Sequence, residues 1–204
     1  PIITWDFETG NLQGWTATGE AFGTQPTLGD NPTARRREQP SGHQGQYWIG
    51  TYENRRLPND PPGRIQGDNP QGTLTSTTFA VSHPVISFLI GGGCDVNIER
   101  AELLLDGAVQ LKATGKCTET MERRCWDVSS LQGRSVQIRL IDASGGPWGH
   151  INFDDVRFSG DNTGDVKAIM ASEKCVPEGT ASTKSGSGSG TQKTIRTYKK
   201  IRVR

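Results

Sequence analysis

The chain has 204 residues, 32% of them apolar, which is enough for one core of ordinary domain size with length left over. No apolar run approaches the roughly 20 residues of a membrane span, and "PIITWDFETG" has neither the basic start nor the apolar stretch of a signal peptide. The formal charge of +1 hides a partition, because residues 191–204 hold six of the 23 Lys/Arg and no acid, leaving 17 basic against 22 acidic residues, a net of −5, in the remainder. An acidic body without a recognition motif argues against nucleic acid as a partner. The missing initiator Met suggests a processed or excised piece.

With 26 glycines, 11 prolines and short apolar runs, the composition favours strands and turns over helices. Ile3, Trp5 and Phe7 alternate with Thr4, Asp6 and Glu8, which predicts a first strand over residues 2–8. The stretch "GTQPTLGDNPTARRRE" (23–38) shows no period and reads as a long loop, with Arg35, Arg36 and Arg37 as a solvated charge run. "GQYWIGTYE" (45–53) is β-prone, and it precedes a second Pro/Gly loop, "NRRLPNDPPGRIQGDNPQG". Loops of this length are usually functional.

"TLTSTTFAV" and "PVISFLIGGG" follow; the latter is apolar on both parities, so it should be covered on both faces. "AELLLDGAVQL" reads as a hairpin turning at Asp106-Gly107. "RCWDVSSLQGRSVQIRLIDAS" supplies two more strands, and "HINFDDVRF" closes the set. These eight to ten strands predict an all-β, antiparallel β-sandwich of the jelly-roll, galactose-binding-like type over residues 1–160. Beyond it we expect an irregular segment (161–181), a Ser/Gly-rich linker (182–192) and a basic end (193–204). That end alternates like a strand, so it reads either as a tail that pairs in trans with a neighbouring subunit or as the start of a next domain.

In "WGHINFDDVRF" (148–158) the apolar phase flips at the Asp pair: Ile151 and Phe153 share a face with Asp155, whereas Val156 and Phe158 fall on the other. A flip needs a bulge or a reason to turn a carboxylate inward. Four cysteines allow three pairings and suit an oxidising compartment. Cys94 follows three glycines at a strand end and Cys117 ends the strand after the hairpin, so Cys94–Cys117 is the first choice, ahead of Cys117–Cys125. Cys125 and Cys175 remain as a second pair tying the later segment to the body.

Taken in order, "WDFETGNLQGWTATGEAFG", "GQYWIGTYE", "GTLTSTTFAV", "SFLIGGG", "AELLLDG", "WDVSSLQGRSVQIRLIDAS" and "WGHINFDDVRF" resemble the β-sandwich module found at the C-terminal end of bacterial levanases and related glycosidases. The resemblance implies a noncatalytic, carbohydrate-binding jelly roll with a structural calcium ion near its joined first and last strands. The matching positions are Glu8, Asp154 and Asp155, whose oxygen-only chemistry suits calcium. The competing account of the Asp pair is a bulge with solvated carboxylates.

For glycan binding, aromatic faces to stack on a sugar and planar polar groups to meet its hydroxyls are needed, and Trp48, Tyr52, Glu53, Arg100, Glu102, Arg124 and Trp148 are the stock. Trp5, Trp15 and Trp126 lie in apolar periodic stretches and read as core. His150 begins a strand and reads as a structural hydrogen-bonding group. No GxSxG, HExxH or Walker loop is present, so we expect no catalysis. Two functions remain: an extracellular or cell-surface module that binds glycan, or an interaction module of an extracellular assembly that contacts neighbouring protein subunits.

Overall fold

The structure is a computed structural model and describes residues 2–177. Its strands, numbered in chain order, form two antiparallel sheets that pack face to face. The first runs β1 (Trp15–Gly19), β4 (Gly72–Ser76), β10 (Ser135–Asp142), β7 (Glu99–Leu105) and β8 (Ala108–Ala113), with β5 (Phe79–Ala80) also paired to β10. The second runs β2 (Thr27–Leu28), β3 (Tyr47–Gly50), β11 (Ile151–Ser159), β6 (Val85–Gly92) and β9 (Thr118–Asp127). Inward-facing residues of both sheets, among them Leu74, Phe88, Leu103, Trp126, Ile138, Leu140 and Phe153, make one core. Trp15 and Trp126 are buried in it and Trp5 packs against it. As its pattern predicts, every residue of β6 is buried.

The β7–β8 hairpin turns at Asp106 and Gly107, both at positive φ (50° and 76°), as a right-twisting two-residue turn requires. Residues 2–8, in contrast, form no strand. Phe7 sits at φ 59° and the Asp6 carboxylate accepts the Glu8 N–H, so the chain turns where the alternation predicted a ladder. The alternation still reports burial, since Phe7 enters the core with Trp5 and Ile3 packed behind it.

In β11 the flip is resolved by a bulge. Between Asp154 and Arg157 the register against β6 shifts by one residue, and Asp155 lies at φ 49°. The Val156 N–H leaves the ladder and donates to Trp5 O. Ile151, Phe153, Val156 and Phe158 therefore all reach the core, and Asp154 is turned to the outer face.

Residues 23–38 also depart from a plain loop, because they contain β2 and a one-turn helix α1 (Asn31–Ala34) with Asp30 as its cap and a proline in its first turn. Residues 161–177 hold a second helix, α2 (Val166–Ser172), whose Ile169 closes over Gly160. Cys94–Cys117 and Cys125–Cys175 are both disulfides, with Cα atoms 4.9 and 5.7 Å apart. The linker and basic-tail assignments (182–204) lie outside the described residues.

The outer face of the second sheet is covered. Ser41 O accepts the Met121 N–H, Gln39 Oε1 accepts the Glu119 N–H and Pro40 O accepts the Thr120 hydroxyl, so residues 39–41 line the free edge of β9. Val176 donates to Arg123 O further along the same edge.

Candidate functional site

Under this cover, α1 and the loop after β3 are stitched together by one buried side chain. Asn31 donates to Glu53 Oε2 (2.6 Å) and Arg64 O (2.8 Å) and accepts from the Gly63 N–H (2.7 Å). Just past α1, Arg36 takes φ 62°, a turn that leaves Arg36 exposed and sends Arg35 and Arg37 toward the same place. The run read as a solvated charge cluster is therefore a wall of the site. Arg35 forms ion pairs with the buried carboxylates of Glu53 (3.0 Å) and Glu119 (2.8 Å).

These side chains border a cavity of about 220 Å³ lined by Arg35, Arg37, Tyr52, Asp68, Glu119, Pro147, Trp148 and His150. Five well-separated segments meet there. Across it the rings form a row. The Arg35 guanidinium lies 4.6 Å from the Tyr52 centroid, Tyr52 is 5.0 Å from His150, His150 is 5.3 Å from Trp148, and the Arg37 guanidinium is 5.5 Å from Trp148. Trp148 is held at φ 60°, an uncommon conformation for a bulky residue and one that recurs at binding sites.

Charges in this row control one another. His150 Nδ1 lies 2.6 Å from Asp68 Oδ1, and its Nε2 is 3.4 Å from Glu119 Oε2, near enough for attraction but not aligned as a hydrogen bond. Burial alone would lower the His150 pKa, yet Asp68 and Glu119 raise it to about 9. Burial would likewise raise Glu119, but His150 and Arg35 hold it down at about 2. Glu53, wholly buried, is shifted upward by desolvation even with Arg35 and Asn31 as partners. Behind the row, Glu99 and Asp142 face each other across β7 and β10; burial and mutual repulsion raise Glu99, so the pair retains a proton.

The structure brings together three of the residues proposed from sequence, Tyr52, Glu53 and Trp148, although Glu53 acts from behind Arg35 rather than at the surface. The others are elsewhere. Trp48 is fully buried with Leu89 and Met121 beneath residues 39–46 and donates its indole N–H to Gly29 O, so it cannot meet a ligand from solvent. Arg100 and Glu102 stand on the first sheet, where Glu102 binds both Arg100 (2.6 Å) and Arg139 (2.6 Å). Arg124, on β9, points toward Pro177 O. Missed from sequence were Arg35, Arg37, Asp68, Glu119 and Pro147. No local pattern joins them; the only hint was the length of the two loops.

The supposed ion ligands do not form one set. Asp155 is ion-paired with Arg123 and with Arg157 (2.8 Å). Asp154 accepts the Gln44 and Asp155 N–H groups (both 2.8 Å), and Glu8 accepts those of Gln46 and Tyr47. Burial pushes Asp154 up to about 8, with the Asp155 and Glu8 charges adding to the effect. Among the described residues, no three His, Cys, Asp or Glu side chains cluster as metal ligands. Glu8 and Asp154 fit an oxygen-seeking cation in chemistry; Asp155 is committed to arginine.

No protein-family model matches the chain. A curated relative, by name a glycosyl hydrolase (ecdE of Aspergillus rugulosus), is 34% identical over 147 residues, which make up 72% of this chain but 19% of the relative. Among solved structures, TmCBM61 in complex with β-1,4-galactotriose aligns over 76% of this chain and 94% of its own, at 14% identity and a TM-score of 0.47. The K2 cleaved adhesin domain of Lys-gingipain aligns over 78% and 97%, at 14% identity and the same TM-score of 0.47.

Proposed function

We propose that the chain is a noncatalytic glycan-binding module of an extracellular or cell-surface protein. The observation that carries this reading is the cavity bounded by Tyr52, Trp148 and His150 with two guanidiniums and two carboxylates on its walls. Converging planar polar groups on an aromatic frame are what a hydroxyl-rich ligand requires. At about 220 Å³ the cavity is smaller than the roughly 300–1,000 Å³ of drug-sized sites, so it suits one sugar unit at a chain end better than a stretch of polymer. Because cations and His150 already lie against the ring faces, recognition runs through hydrogen-bonding groups rather than open stacking.

The relative's name supports a carbohydrate context, although the chain spans only 19% of that relative's length. The levanase-type assignment suggested by the motifs belongs to this proposal. Two disulfides support the extracellular setting. Among the described residues no helix is long and apolar enough to cross a membrane.

A glycan array followed by calorimetry tests the reading. Wild-type protein should retain a defined sugar end, Trp148→Ala should weaken it about tenfold or more, and no polysaccharide should be cleaved. Silence across the array, or turnover by pure protein, would overturn it. Calcium held by Glu8 and Asp154 is the second part of the proposal. An ion bound only by the folded state at a hundredfold excess over Kd adds about 2.7 kcal/mol, so the melting point should fall in chelator and do so less in Glu8→Gln. An identical melting curve with and without chelator would remove the ion.

A further inference from the structure

The guanidiniums on the cavity wall are not equivalent. Arg35 is bonded to Glu53 and Glu119 and is largely enclosed. Arg37 is 43% exposed at the side chain, and among the described residues its guanidinium makes no hydrogen bond. Its nearest carboxylate oxygen, Glu119 Oε1, is 3.9 Å away and already accepts from Arg35 at 2.8 Å. Glu119 Oε2 faces His150 and Asn152. Arg37 is thus held over Trp148 at the mouth with its donors free.

We infer that the site takes an acidic sugar, a terminal uronate, whose carboxylate is bound by the Arg37 guanidinium. The inference rests on the glycan reading and narrows it. A planar guanidinium with unused donors matches a carboxylate two bonds at a time, a fit that a neutral hydroxyl does not reproduce. The remaining charges permit it. Asp68, the other acid at the rim, is bonded to His150, and the lining carries Arg35, Arg37 and His150 against Asp68 and Glu119. Glu53 offsets Arg35 from the protein side but, being fully buried, presents no oxygen to a ligand. The occupied ring faces point the same way, since a site that offers few open faces must select on polar groups.

The test is calorimetry with oligogalacturonate and oligoglucuronate beside their neutral counterparts of equal length. The acidic member of one pair should bind about tenfold tighter at low salt, the ratio should shrink as salt rises, and it should collapse toward one in Arg37→Gln. Arg37→Lys should restore only part of it. Equal affinity for acidic and neutral sugars, or a preference that survives Arg37→Gln, would overturn the inference and leave the glycan reading standing. Absence of binding to every sugar, acidic or neutral, would overturn both.

Discussion

The outer faces of the two sheets began from the same strand chemistry and ended differently. On the first sheet, Arg100, Glu102 and Arg139 lie on neighbouring strands, and the two arginines, 18% and 33% exposed, cover a Glu102 carboxylate that is only 1% exposed. On the second sheet, residues 29–46 fold over the strands and supply Arg35 and Arg37, so its buried carboxylates depend on a loop. On the first sheet the cationic partners of a buried carboxylate come from the sheet's own strands. A loop laid over a face turns the same residue types into a cavity with perturbed pKa values.

The largest expected contrast follows from removing one arginine on each side. Arg35→Met leaves Glu53, 0% exposed, with Asn31 but no cation, and Glu119, 3% exposed, with only His150, Asn152 and the more distant Arg37, and should cost about 3–5 kcal/mol in denaturant unfolding. Destabilisation under 1 kcal/mol would mean that the loop is not held by this pair. A smaller effect should appear against pH. The His150 pKa is raised from 6.5 to about 9, so its contribution to stability is complete below 6.5 and lost as pH rises through 9. Glu119, lowered from 4.5 to about 2, contributes fully above 4.5 and loses that contribution as pH falls through 2. The melting-point gap between wild type and His150→Gln should therefore be widest between about pH 4.5 and 6.5 and close toward pH 9. A gap that stays constant over that range would sink the coupling.

Smallest of all should be Arg139→Met. Glu102, 1% exposed, keeps Arg100 as a partner, so the loss should stay below that of Arg35→Met, at about 1.5–3 kcal/mol, with glycan affinity unchanged. If it weakens binding as much as Trp148→Ala does, the site lies on the first sheet and the contrast is reversed.

The parts of the fold legible in the sequence are those specified by neighbours along the chain. Asp106-Gly107 dictates its turn wherever it stands, β6 shows its double burial in its own letters, and the Asp pair announces a break in phase. Residues 2–8 misled because alternation reports which side chains are buried, not whether the backbone pairs; Phe7 satisfies the first without the second. The site was mostly illegible because its bonds are long in sequence. Arg35 meets Glu53 across 18 residues and Glu119 across 84, and nothing local in "TARRRE" tells a solvated run from a wall. Tyr52 and Trp148 were found because a sugar site needs aromatic faces and the chain has few to offer, whereas Trp48, four residues before Tyr52 in the same β-prone stretch, met the same criterion and lies underneath.

Residues 39–41 also bind the evolution of this surface to its solubility. The loop that brings Arg35 and Arg37 to the cavity continues directly into the backbone that blocks the edge of β9. An exposed strand edge is a template for pairing with another chain. Changes that lift the loop to admit a larger ligand would uncover that edge and favour aggregation, while lengthening the turn around Leu57–Asp60, whose hydrogen bonds are local, would not. New specificities on this scaffold should accordingly arise by insertion in the second loop and by side-chain exchange, rather than displacement, in the first.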